Sequence, residues 1–503
     1  MKADPGGLNA AAVATESTPC AKLEVEWSSG TWTDESGNLV SANTDSQIVD
    51  PLRGWVSLAT QPMGTMVAKV TNTDGRYSQS RAGSMAATYG IRGKHIRLWL
   101  GYKVNGTPTY PATPEFTGRI MDVTEGEASA EVDLTCQDML SDAKRLNKST
   151  LMQAGGALLD GVQTHNWITS LAGLANLSMA AASEAGLMMI PYCWLDDDEL
   201  LAEMRAAAAS EAGALFCDGS GNVVFWNAAH WAGKTHADYG DTHITVASFG
   251  ELRPKRGYDD EWNIIACDYA PAGVGKPTKV YSLKRAVSVP PNSNKTMTLN
   301  FQWPLMSFYS YTLKACSSGG VDMGPSGANK VSISPSTPSY AKRWEITFSN
   351  SDTQNEAFIT QFDVYGYPVD KRPAEQYIKD NSSGKPQPRR YNLPSNGYVQ
   401  SEQQVRFLVD ILADRLSTVR MQLQATQLRG HPLYELGDLV NIAAALTGVS
   451  TDCCIIGKHN TFGDGAWQMT LDLMDFSGMY VSTSYFKVGT SVLGVAGSQV
   501  VFY

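Results

Sequence analysis

From residue 22 the chain alternates between apolar and polar positions. Leu23, Val25 and Trp27 are apolar, while Lys22, Glu24 and Glu26 beside them are charged, the period of two expected of a strand with one buried face. The pattern returns at Ile96, Leu98 and Leu100. It is cleanest at Ala128, Ala130, Val132, Leu134 and Cys136, with Ser129, Glu131, Asp133 and Thr135 on the other face. Residues 21–140 therefore read as a β domain. The small and polar residues 1–20 before it read as a flexible N-terminal arm.

The period changes after Asp138. Residues 157–178 and 196–212 carry helical patterns rich in Ala, Leu and Met. In the second, Asp196 is placed to cap a helix with Glu199 three residues on, and Leu200, Leu201, Met204, Ala207 and Ala208 form one face. Ala214–Cys217 and Val223–Trp226, joined by Asp218-Gly219-Ser220-Gly221-Asn222, read as a hairpin. Residues 141–253 are thus a small α+β domain. Residues 254–400 turn strand-like again, with Met297, Leu299, Phe301 and Trp303 on one face and Trp344, Ile346 and Phe348 in a second run. They read as a β-rich inserted domain with Ser/Gly/Pro loops such as Ser317–Ser326, ending in the polar stretch Asp380–Arg390. Glu402–Leu416 is the clearest helix, since Val405, Leu408, Val409, Leu412 and Leu416 recur at helical spacing. Val419–Leu428, Leu439–Ile442, Cys453–Gly457 and Trp467–Asp475 are strands, so 401–478 pairs a helix with a second β unit. Residues 479–503 form a Gly-punctuated C-terminal extension. The fold class is mainly β with α+β parts, in several domains.

Length fits that division: 503 residues exceed the roughly 100–200 of one domain. With 43% hydrophobic and 18% charged residues the chain is globular, not disordered. Its net charge of −10 argues against a nucleic-acid binder of the basic type, though not against a protein past which DNA slides. The eight cysteines, at 20, 136, 193, 217, 267, 316, 453 and 454, form no Cys-x-x-Cys pair and read as free thiols in a chain folded in a reducing cytoplasm. Met1–Thr18 lacks the apolar core of a signal peptide, and no run approaches a membrane span.

Candidate chemistry is sparse. His230, His236 and His243 share a Trp/Gly/Asp-rich stretch with Asp238 and Asp241, but His230 and His236 are six residues apart and match no standard metal spacing. Asp196–Glu199 lacks the alternating oxygen ligands and closing Glu of a calcium loop. Asp74-Gly75 and Asp464-Gly465 are turn signals. No nucleophile elbow, zinc-protease helix, phosphate loop or acid/base pair stands out. The expectation is no enzyme, no catalytic residue, no cofactor and no metal. Trp226, Trp231 and Trp303 are candidate aromatic platforms for a carbohydrate.

Several stretches, taken in order, resemble the baseplate hub or minor tail proteins of long-tailed bacteriophages. Trp32-Thr33-Asp34, Arg53-Gly54 and Gly64–Asn72 lead into Asn72-Thr73-Asp74-Gly75-Arg76-Tyr77-Ser78, which is similar to a strand-ending turn of that family. Gly93-Lys94 with Ile96–Trp99, Phe116-Thr117-Gly118-Arg119-Ile120 and Cys136-Gln137-Asp138 continue the likeness. Leu200–Trp226 looks like the family's middle domain. Gly437–Ile442, Ile456–His459 and Trp467–Asp475 resemble its second barrel, and Val488–Gly494 its C-terminal extension. Residues 254–400 match no part of the pattern. The resemblance implies two tail-tube-like antiparallel β-barrels, read over 37–136 and 419–475. It further implies a structural hub that terminates the tail tube, lines or closes the DNA channel, and anchors tail-tip or receptor-binding proteins. The implied partners are further copies of the chain (a homotrimer with pseudo-six-fold symmetry, alternatively a hexamer), the tail tube or distal tail protein, and the tape measure protein. DNA is met only in transit, and the expected location is the virion after assembly in the host cytoplasm. A carbohydrate- or receptor-binding protein of the same tail tip is the alternative. A hub-fused cell-wall hydrolase would need a catalytic motif.

Overall fold

A computed structural model describes residues 2–14, 16–48, 62–126, 128, 130–154, 161–230, 250–255, 261–383, 387–417, 421–444 and 448–475. Arg53-Gly54, Ser129, Trp231, His236, Asp238, Asp241, His243, Val419 and the extension 479–503 with Val488–Gly494 lie outside the described residues.

Among the described residues the protein is mainly β, with 49% strand and 13% helix. The alternating runs become the strands Pro19–Ser28, His95–Val104 and Glu131–Asp138. Their apolar sets Leu23/Val25/Trp27, Ile96/Leu98/Leu100 and Val132/Leu134/Cys136 enter one core together with Met66, Val70 and Tyr77. The third run begins later than its pattern suggests. Ala128 is exposed and Ala130 has φ 49, because both belong to the turn between Phe116–Gly126 and Glu131–Asp138. The segment read as a flexible arm holds a helix, Leu8–Val13, whose Leu8 and Ala12 are buried in the same core. Asp4 fixes the start of that helix by accepting from the backbone N–H of Gly6, Leu8 and Asn9.

Two separate barrels were expected, but no closed barrel is found among the described residues. Strands from both regions join in one thirteen-stranded sheet. The joint is Leu39–Gln47, which pairs antiparallel with Thr65–Thr71 on one side and with Val449–Gly463 on the other, from Ser41 opposite Gly463 to Gln47 opposite Gly457. Each strand set thus covers an edge that the other would leave open to unwanted pairing. The sheet ends at Thr31–Asp34 on one side and at Glu251–Lys255 on the other.

Between these regions lies the α+β part. The first helix is shorter than its pattern, Thr164–Leu174. The second is Leu200–Ala209, and the acidic run before it is not a cap: Asp196–Glu199 is a strand paired with Asn147–Ser149, and no side chain caps the helix. A reciprocal cap occurs instead on Glu402–Leu416. There Ser401 Oγ accepts from Gln404 N at 3.2 Å, and Gln404 Oε1 accepts from Gln400 N at 2.8 Å. All five apolar positions named for this helix are buried, and so are Phe407, Ile411 and Arg415. It is wrapped on nearly every side, against a three-stranded sheet of Ile264–Tyr269, Glu375–Asp380 and Arg390–Leu393. The hairpin Ala214–Cys217/Val223–Trp226 forms as read. Residues 272–371 make a sandwich of a five- and a three-stranded sheet around Trp344, Phe348 and Phe362. Leu299 and Phe301 join that core, whereas Trp303 turns outward at 41% exposure.

Candidate assembly site

The seam between the two strand sets is held by buried charge. Glu115 and Lys458 meet at 2.6 Å, and Lys2 reaches the other oxygen of Glu115 at 3.3 Å, with all three side chains almost fully buried. Burial opposes the ionisation of Glu115, but Lys458 and Lys2 outweigh it and hold its carboxyl below the usual range. The remaining polar atoms are satisfied, as buried ion pairs require. Lys458 donates to Tyr434 O at 2.8 Å, Lys2 to Pro114 O at 2.9 Å, and Asn460 Nδ2 to both Glu115 and Thr44 Oγ1. Trp467 Nε1 in turn donates to Asn460 Oδ1 at 3.0 Å. One cluster therefore ties the N-terminal segment, the first strand set and the last strand set together.

The N-terminal segment acts as a strap over this joint. Lys2 N donates to Leu433 O, and Arg429 donates to Ala14 O and Ser17 Oγ. Burial, with Lys458 nearby, lowers His431 to about 4, so its ring is neutral. Because Leu433 N donates to its Nδ1, the proton sits on Nε2 and is shared with Asn9 Oδ1 at 3.1 Å. Gly430 is required here, since a Cβ would lie 2.0 Å from the Trp467 ring that packs on Tyr102. On the outer side of the seam His459 bridges Asp472 at 2.7 Å and Asp45 at 3.2 Å. Hydrogen bonds to Asp45 and Asp472 raise it to about 10.

A half-open cavity of about 170 Å³ lies where the strand sets meet the hairpin, lined by Lys2, Glu115, Asp138, Asp218, Glu435 and Lys458 among others. Burial pushes the Asp138 carboxyl up to about 7, against hydrogen bonds from Gly64 N and Leu140 N. Among the described residues no group of three or more His, Cys, Asp or Glu side chains is placed to hold a metal ion.

The Asn72–Ser78 turn has a physical purpose that its sequence hides. Its Arg76 and Tyr77 side chains, with Trp27 Nε1 and Asn38 Nδ2, all donate to Glu35, which is 1% exposed. Tyr77 N is held by Asn72 Oδ1, and Gly75 takes φ 70. Glu35 was not singled out in the sequence, because a lone Glu after a strand carries no pattern. The Lys2–Glu115–Lys458 cluster was missed for the same reason, its members lying hundreds of residues apart.

The candidates that were named are dispersed. Trp226 is buried, stacked on His230 with centroids 3.9 Å apart and packed on Gly437, so it is no exposed platform. His230 Nδ1 lies 2.8 Å from Glu184 Oε1. Asp196 is bridged by Lys342 at 3.1 Å. Asp74-Gly75 and Asp464-Gly465 are turns. No helix among the described residues is long and apolar enough to cross a membrane.

What the fold and seam define is a multi-sheet β protein in which strands of 19–138 and of 422–475 are merged in one sheet. No protein-family model and no curated protein matches the chain. Solved structures to which it is similar include the 43 kDa tail protein of prophage MuSo2 from Shewanella oneidensis, at 10% identity and a TM-score of 0.49, covering 91% of this chain and 100% of that one. A tail protein from Neisseria meningitidis MC58 follows at 9% identity and 0.48, covering 92% and 98%. The prophage tail protein gp18 from Listeria monocytogenes EGD-e stands at 7% and 0.42, covering 90% and 94%.

Proposed function

We propose that this chain is a structural hub of a phage tail tip or baseplate. It ends the tail tube, lines or closes the DNA channel, and anchors tail-tip or receptor-binding proteins, with no enzymatic activity of its own. The observation that carries this reading is the thirteen-stranded sheet, built from both ends of the chain and locked by the Glu115 cluster. Its outermost strands, Thr31–Asp34 and Glu251–Lys255, each pair on one side only among the described residues. An oligomeric ring is the usual way to cover such edges. Two strand sets per chain would let three chains present six tube-like elements. The net charge of −10 suits a lumen along which DNA passes without adhering. The test is the mass of the assembled particle: three times the 54.4 kDa chain supports the trimer, six times supports a hexamer with one strand set at the channel, and a monomer at assembly concentrations refutes the hub. The second reading, receptor binding by the 272–371 sandwich, is favoured by the exposure of Trp303 and Tyr309 there.

A further inference from the structure

We propose that the cleft between the outer face of the N-terminal strands and the loops at 176–178 and 220–222 binds a neutral saccharide. This goes beyond the hub reading and does not depend on it. The cleft has a volume of about 190 Å³, enough to admit a small ligand on the scale of a single pyranose ring. Its walls include Trp32, His95, Thr117, Asn176, Ser178 and Ser220, and no Asp, Glu, Lys or Arg among the described residues. That composition selects against charged ligands, because a phosphate or carboxylate calls for Arg or Lys donors. An indole beside carboxamides and hydroxyls matches a sugar instead: the part of the indole that lines the cleft meets the apolar C–H groups, and the rim groups take the hydroxyls.

The site is built in advance. Trp32 stands on Thr31–Asp34, opposite Glu26. The Arg97 guanidinium lies 3.9 Å from its ring centroid, and Arg97 is itself held by Glu24 at 2.6 Å. His95 stacks at 6.4 Å and 18°, and its Nδ1 is 2.5 Å from Glu26 Oε2. The indole therefore loses little rotamer freedom when a ligand arrives. The opposite wall is fixed too. Thr117 Oγ1 donates to Gly219 O at 2.7 Å, and Asp218 accepts from both the backbone and the side chain of Asn222. By contrast the Ser178 and Ser220 hydroxyls and the Asn176 carboxamide make no hydrogen bond among the described residues. They stand at the cleft with donors and acceptors to offer.

The experiment is saturation-transfer NMR on the full chain with D-glucose, D-galactose, N-acetyl-D-glucosamine and L-rhamnose at millimolar concentration. At least one sugar should bind saturably, and Trp32→Ala should weaken it about tenfold or more. If Trp32→Ala fails to fold, the Ser178→Ala/Ser220→Ala double variant decides the question, since neither hydroxyl has a partner to lose among the described residues; several-fold weaker binding is expected. Silence from all four sugars overturns the proposal. So does binding that is indifferent to the cleft variants. None of these results bears on the particle mass that tests the hub.

Discussion

Replacing Glu211 with Gln should stabilise this protein at alkaline pH and leave it unchanged in acid. Glu211 lies just beyond the helix Leu200–Ala209 and is fully buried. One carboxyl oxygen accepts from Leu187 N at 2.9 Å and Met188 N at 3.0 Å, and the other is buried without a hydrogen-bond partner among the described residues. Burial, opposed by these contacts and reinforced by the charge of Glu184, raises the carboxyl from 4.5 to about 8. The folded protein thus prefers the protonated acid. Below pH 4.5 folded and unfolded chains are both protonated at this site and nothing is lost. Between 4.5 and about 8 only the unfolded chain ionises, so stability falls with pH, and above 8 the loss is complete. At about 1.4 kcal/mol per pH unit, the full penalty is at most about 5 kcal/mol. Gln reproduces the shape of the protonated acid, keeps an oxygen for Leu187 N and Met188 N, and has no proton to lose. Urea midpoints of both proteins should coincide near pH 4 and separate steadily up to about pH 8, the variant being the more stable. Two lines that stay parallel across that range would refute the reasoning.

Further predictions rest on other buried groups. Glu35→Ala strands Arg76, Tyr77 and Trp27 donors and should cost about 3–5 kcal/mol in denaturant titration; a loss below about 1 kcal/mol would mean the turn stands without it. His459 owes its stabilising charge to Asp45 and Asp472. Its contribution is complete below pH 6.5 and wears away as pH rises through about 10, so the melting-temperature deficit of His459→Gln should be largest near pH 6 and small near pH 10; a constant deficit would exclude the ion pairs as its cause. Leu408→Asp or Leu412→Asp places an unpaired carboxylate in the most enclosed helix, at a cost of several kcal/mol, and normal yields of soluble, folded protein would contradict that packing. Purified protein should not clear cell-wall material; clearing abolished by one carboxylate substitution would show an enzyme.

Local pattern carried most of the elements. The alternating runs at 23–27 and 96–100, the hairpin at 214–226 and the helix at 402–416 were legible because each buries one face within a few turns of chain. Asp196–Glu199 misled because a capping signature is also a legitimate edge of a short strand pair, and the pairing partner, Asn147–Ser149, is distant in sequence. Ser401 and Gln404 carried the true signal in the same few letters. The seam was illegible in principle. The pairing of Leu39–Gln47 with Val449–Gly463 leaves no mark on either strand beyond alternation, so two strand sets read as two barrels. Trp226 and Trp303 likewise look alike in sequence, and only packing shows that one is buried and the other exposed.

The sandwich at 272–371 leaves and rejoins the rest of the chain between Ile264–Tyr269 and Glu375–Asp380, neighbouring antiparallel strands in which Tyr269 faces Glu375. Its two ends are therefore about 5 Å apart, the spacing of adjacent strands. Seen from the helix that those strands cover, the whole module is an overgrown hairpin loop. Its own core of Trp344, Phe348 and Phe362 makes it independent of that loop's closure, and loops of this kind tolerate insertion at little thermodynamic cost. Among the described residues it is tied to the body by polar contacts to Ser149, Thr150, Asp196 and Gln400. The architecture consequently divides the chain by its tolerance of change: a frame in which a substitution acts on segments far apart in sequence, and an outgrowth whose length can vary so long as its two neighbouring ends are kept.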